Sequence, residues 1–142
     1  MQDNKDIKEK KEHEIDEVAD EIESALKDSR GINSHQKRLA ICLSIGITDL
    51  LERYLKKKGV LKTGYKVDHR ILKKKKENAK SALAEKITSP INSLDRIDHL
   101  LEIAYEIEGR RNALAYGGKV SDDVLRGLID KYLDVKKEVE ND

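Results

Sequence analysis

Leu39-Ala40-Ile41-Cys42-Leu43-Ser44-Ile45-Gly46-Ile47-Thr48-Asp49-Leu50-Leu51-Glu52-Arg53-Tyr54-Leu55 is apolar almost all round its first half and striped in its second. A helix without a polar face belongs at the centre of a fold. The nearly apolar run, Leu39 to Thr48, is half the length a bilayer span needs, so it reads as a core helix and not as a membrane segment. Asn33 or Ser34 can cap this helix. It should run to about Lys58, with Gly59 as the residue that turns the chain out of it.

Amphipathic segments surround it. Ile15, Val18, Ile22 and Ala25/Leu26 recur at spacings of three and four, which predicts a helix from about Glu12 to Asp28, ended by Arg30-Gly31. Asp68 should cap a third helix reaching Ile87, with Ile71, Leu72, Ala79, Ala82 and Leu83 on its inner face. Ser89-Pro90 reads as a cap followed by proline at the first helical position. The fourth helix from there carries Ile91, Leu94, Ile97, Leu101, Ala104 and Ile107 and breaks at Tyr116-Gly117-Gly118-Lys119. Ser121 should cap a fifth, with Asp122 and Asp123 in its positive first turn. The expected fold is all-α: an antiparallel up-and-down helical bundle of four long helices plus one. Residues 1–11 are a polar N-terminal extension, and 12–142 form a single domain.

Composition agrees. The 142 residues include 40% charged and 37% apolar ones, a single proline, no Phe and no Trp, so the core must be aliphatic and the chain helical. Two glutamines beside so much Lys and Glu resemble a thermophile composition. One cysteine, Cys42, excludes an internal disulfide framework and a Cys-based zinc knuckle; in its apolar run it reads as a core residue. The charged N-terminus has no apolar h-region, which predicts a cytoplasmic protein.

The formal charge of +1 conceals an asymmetry. Residues 1–29 carry a net −6, residues 30–80 a net +11 and residues 81–142 a net −4. Either these segments neutralise one another in the fold, or the middle one presents a basic face to a phosphate-bearing partner. Lys73, Lys74, Lys75 and Lys76 span all sides of a helical turn, so at least two of their ammonium groups face water and are candidates for phosphate contacts. No aromatic residue interleaves them, which argues against a base-stacking platform.

No metal or cofactor is expected. His13, His35, His69 and His99 form no H-x-x-x-H pair, and there is no P-loop, dinucleotide fingerprint or nucleophile elbow. Asp95, Asp98 and His99 share one stretch, and Asp16, Glu17, Asp20 and Glu21 another; both read as solvated faces. The segment Glu108-Gly109-Arg110-Arg111-Asn112-Ala113-Leu114-Ala115-Tyr116-Gly117-Gly118 is different. At 100° per residue Arg111 falls on the bundle-facing side with Leu100 and Ala104, and Glu108 falls three residues before it. An arginine there is either half of a structural Glu108–Arg111 pair or the heart of an anion site.

This segment resembles the HEPN domain (higher eukaryotes and prokaryotes nucleotide-binding). Arg111-Asn112-Ala113-Leu114-Ala115-Tyr116-Gly117 is similar to the family pattern R-N-x-L-V-H-G, matching at Arg111, Asn112, Leu114 and Gly117. The similarity in helix lengths covers roughly residues 12–137. The resemblance implies a homodimer in which two motifs share a cleft. It also implies binding of a nucleotide or RNA phosphate by Arg111 with Asn112 beside it, and sometimes a toxin–antitoxin-like pairing with a minimal nucleotidyltransferase. Many members are metal-independent endoribonucleases. Here the histidine of the pattern is Tyr116, and no histidine follows His99; the tyrosine some toxins carry two places later is Gly118. A tyrosine is about one part in a thousand ionised at neutral pH, so Tyr116 as the catalytic partner of Arg111 implies at most a weak ribonuclease. A purely structural helical partner protein is the remaining expectation.

Overall fold

The structure, a computed structural model, describes residues 17–141. The expected Ile15 position, the polar extension, His13 and Asp16 lie outside them. Six α-helices follow in order: α1 (residues 17–27), α2 (Gln36–Lys57), α3 (His69–Leu72), α4 (Lys76–Ala84), α5 (Ile97–Tyr116) and α6 (Asp122–Glu140). Single 3₁₀ turns occupy Ile32–His35 and Ile91–Ser93. Among the described residues there is no strand, only an isolated antiparallel bridge between Leu61 and Ile87. The fold is an all-α helical bundle, and no described helix is long and apolar enough to cross a membrane.

Long-range contacts set the register. Gln36 at the start of α2 meets Leu114 near the end of α5, and Tyr54 near the end of α2 meets Asp95 just before α5, so the two helices are antiparallel. Lys131–Glu106 and His99–Glu138 align α5 antiparallel to α6. Leu39, Leu43, Ile47, Leu50, Leu51, Tyr54 and Leu55 of α2 are all essentially inaccessible to solvent, so the helix is central as its sequence demands. Its outer face, however, keeps Ile41 and Ile45 nearly half exposed.

Several expected boundaries move. Asp68 and Ser121 cap α3 and α6, accepting from the amides of Arg70 and Val124. Gly31 and Gly59 turn the chain at positive φ. Neither Asn33 nor Ser34 caps α2: the Asn33 amide donates to Asp122 at 2.8 Å, and the Ser34 hydroxyl donates to the Gly31 carbonyl at 2.7 Å. The third helix is not continuous. It breaks into α3 and α4 across Lys73–Lys75, with Lys75 extended (ψ 152°). After Ser89-Pro90 the chain makes only one 3₁₀ turn, and α5 begins at Ile97. Tyr54 sets that start, its hydroxyl accepting from the Arg96 amide and donating to Asp95.

Candidate anion-binding groove

The outer face of α2 forms the floor of an open groove of about 700 Å³. Ser44, Ile45, Thr48 and Asp49 come from α2, Arg111 from α5, and Lys66, Val67, Asp68, His69 and Arg70 from the connector into α3. Glu52, buried in α2, fixes that connector by accepting from the Val67 amide at 3.1 Å. The groove therefore joins groups more than forty positions apart in sequence.

Glu108 faces the bundle interior, as its helical phase predicts, and is 3% exposed. It does not pair with Arg111. Its Oε1 accepts from the Ser44 hydroxyl, and its Oε2 has no hydrogen-bond partner. Arg111 is half-buried and makes no ion pair or hydrogen bond among the described residues. The expected structural ion pair is absent, and the guanidinium is left in the groove.

The opposite wall is also basic but differently engaged. Arg70 grips Asp68 through Nε and Nη2, and that guanidinium holds the Asp68 carboxyl well below the usual carboxylate range. His69 Nδ1 lies 3.5 Å from Asp68 Oδ1. Lys66 is exposed, and its ammonium has no described partner. Thus Arg111 and Lys66 are groove cations without a described ion pair, Asp68 is held by Arg70, and the buried Asp49 carboxylate also lines the floor.

The remaining sequence candidates lie elsewhere. Asn112 is exposed. Tyr116 is 84% exposed, and neither residue lines the groove. Lys73, Lys74 and Lys75 are exposed directly after α3, whereas Lys76 is tied to Glu102 at 3.0 Å, which keeps it protonated. Asp95, Asp98 and His99 go to three different partners: Tyr54, Lys80 and Glu138. Among the described residues no group of three metal-ligating side chains forms. Cys42 is partly exposed and packs against the core.

Sequence reasoning missed His69 and Lys66 as site residues because the connector's path is fixed by long-range bonds to α2. It also missed Gln36, whose side chain clamps the turn after α5. Gln36 Nε2 donates to the Leu114 and Gly118 carbonyls, and its Oε1 accepts from the Val120 amide. This holds Gly117, where a Cβ would collide with the Ala113 carbonyl.

No family model matches this chain, and neither the curated proteins nor the solved structures return a match.

Proposed function

We propose that this protein binds the phosphate of a nucleotide or an RNA strand in the groove floored by α2, with Arg111 as the principal contact. The observation that carries this reading is the unpaired Arg111 guanidinium facing a wall that holds Lys66, His69 and Arg70. A fork of N–H donors matches phosphate oxygens in geometry as well as charge. The resemblance to HEPN domains adds the same role for the same residue, a homodimer, and a minimal nucleotidyltransferase as partner. Lys73, Lys74 and Lys75 add positive surface next to α3. A fluorescent single-stranded RNA in low salt tests the reading: Arg111→Ala should abolish saturable binding while the melting temperature holds. Unchanged binding in that variant refutes it.

A second reading, metal-independent cleavage, gains from one observation: His69 lines the same groove as Arg111. An imidazole there would take the proton of a ribose 2′-hydroxyl as its oxygen attacks phosphorus. Water on the far side of phosphorus would protonate the departing 5′-oxygen, and the imidazolium would release its proton to solvent. Tyr116, outside the groove, would contribute nothing to that step. Cleavage with EDTA present, lost in His69→Ala and retained in Tyr116→Phe, identifies this activity; no cleavage by the native protein leaves binding alone.

A further inference from the structure

A second, smaller pocket of about 230 Å³ lies at the other end of the same seam, where the first turn of α2 meets the end of α5. Asn33, His35, Gln36, Lys37, Arg38 and Lys119 are among its lining residues. Arg38 is committed to Glu21, at 3.0 Å. Lys37 and Lys119 are exposed and have no described partner. The two pockets are connected by helix geometry. Lys37, Ile41, Ile45 and Thr48 stand at i, i+4, i+8 and i+11 on one stripe of α2. That stripe is about 16 Å long at 1.5 Å per residue. At the end of α5, Leu114 and the following Gly117 border the small pocket, and Arg111, about one turn before Leu114, enters the groove.

We propose that the two pockets are subsites of one track that holds an extended single strand of nucleic acid, several phosphates long, rather than a lone nucleotide. One phosphate sits between Arg111 and Lys66, and another between Lys37 and Lys119. The half-exposed Ile41 and Ile45 lie between them as an apolar bed for the bases. The length accords with the smallest single-strand sites, about four nucleotides. The proposal rests on the phosphate reading of the Arg111 groove and adds a second, separable contact set.

The alternating pattern of free cation, isoleucine pair and free cation also suits an acidic amphipathic helix from another protein. The strand is favoured because the cations cluster in two concave pockets and do not line the rims of a continuous apolar groove.

Anisotropy titrations with labelled oligouridylate of eight residues and with labelled UMP, over a range of salt, distinguish these possibilities. The octamer should bind at least tenfold more tightly than UMP. Lys37→Ala with Lys119→Ala should weaken the octamer about tenfold at low salt and reduce the slope of log affinity against log salt by about 1.4. The same pair should leave UMP unaffected. Equal affinities for UMP and octamer, or an unchanged slope in the double variant, overturn the track while sparing the Arg111 site. Loss of UMP binding in Arg111→Ala, with the octamer still bound natively, overturns it too, since the subsites would then be independent. An acidic amphipathic peptide that binds this surface more tightly than the octamer does, and displaces it, assigns the surface to a protein and overturns the track. Binding of neither UMP nor octamer by the native chain refutes the underlying phosphate reading as well.

Discussion

Gly46 exists to make room. A Cβ there would sit 2.8 Å from the Tyr132 hydroxyl and 2.9 Å from its ring, so α2 and α6 pack as they do only because position 46 has no side chain. Gly46→Ala is expected to destabilise the fold by about 1–3 kcal/mol by overpacking, read from chemical denaturation. Tyr132 itself is fully buried, its hydroxyl has no described partner, and burial pushes its ionisation upward. Removing that oxygen should help: Tyr132→Phe is expected to raise stability by about 1 kcal/mol, a few degrees in Tm. Arg111 is the opposite case, polar and only half-buried. Arg111→Ala should shift stability by no more than about 0.5 kcal/mol, whereas breaking a buried ion pair would cost several. Arg111 was legible in the sequence because helical phase points it inward beside Glu108. Its freedom was not: the Ser44 hydroxyl, sixty-four positions away, takes the carboxylate that local spacing assigns to the arginine.

At the scale of elements, α1 is held to α2 by charge as well as by Val18, Ile22 and Ala25. Asp28, just past α1, accepts from the Arg30 amide and Nε at Oδ1 and from Arg30 Nη2 at Oδ2, which also lies 2.8 Å from His35 Nε2. Together these hold its carboxyl far below the usual value of 3.8, the Arg30 bonds contributing most. Glu21 meets His35 Nδ1 at 2.7 Å and Arg38 at 3.0 Å. A carboxylate with a depressed folded-state pKa stabilises fully above its unfolded value, and that contribution fades as pH falls below it. Hydrogen exchange should therefore show residues 17–27 losing protection between about pH 4 and pH 2 before α2 and α5 do. Asp28→Asn should weaken that protection already at neutral pH and flatten its acid dependence; an unchanged profile contradicts the mechanism. The helices with strong caps and long stripes could be read directly, as Asp68, Ser121 and the α2 core show. Ser89-Pro90 misled because Val60 and Lys62 pair with Thr88 and Lys86, drawing that stretch out before Tyr54 starts α5. Lys73–Lys75 fall at the break between α3 and α4, where a continuous helix would have stacked four ammonium groups in one turn.

Across the whole molecule, part of the charge asymmetry is settled internally. Lys58 meets Asp95, Lys76 meets Glu102, Lys80 meets Asp98 and Arg38 meets Glu21, so the basic middle segment lies against both acidic flanks. What remains open is the seam beside Arg111 and, on another face of α5, a stripe that spacing alone brings together. Tyr105, Gly109, Asn112 and Tyr116 stand at i, i+4, i+7 and i+11, all exposed, and nothing lies within 4 Å of a Cβ built at Gly109. Two tyrosines flanking a glycine let another backbone approach closely while burying aromatic surface, and a two-fold contact would place the stripe against its own copy. The joint would leave the seams of both copies open on either side. Light scattering at micromolar concentration is expected to give about twice 16.2 kDa. Gly109→Arg should return the particle to a single chain with an unchanged circular dichroism spectrum, since a side chain there starts in open space. A native mass of one chain, or a dimer untouched by Gly109→Arg, means that α5 does not carry the interface.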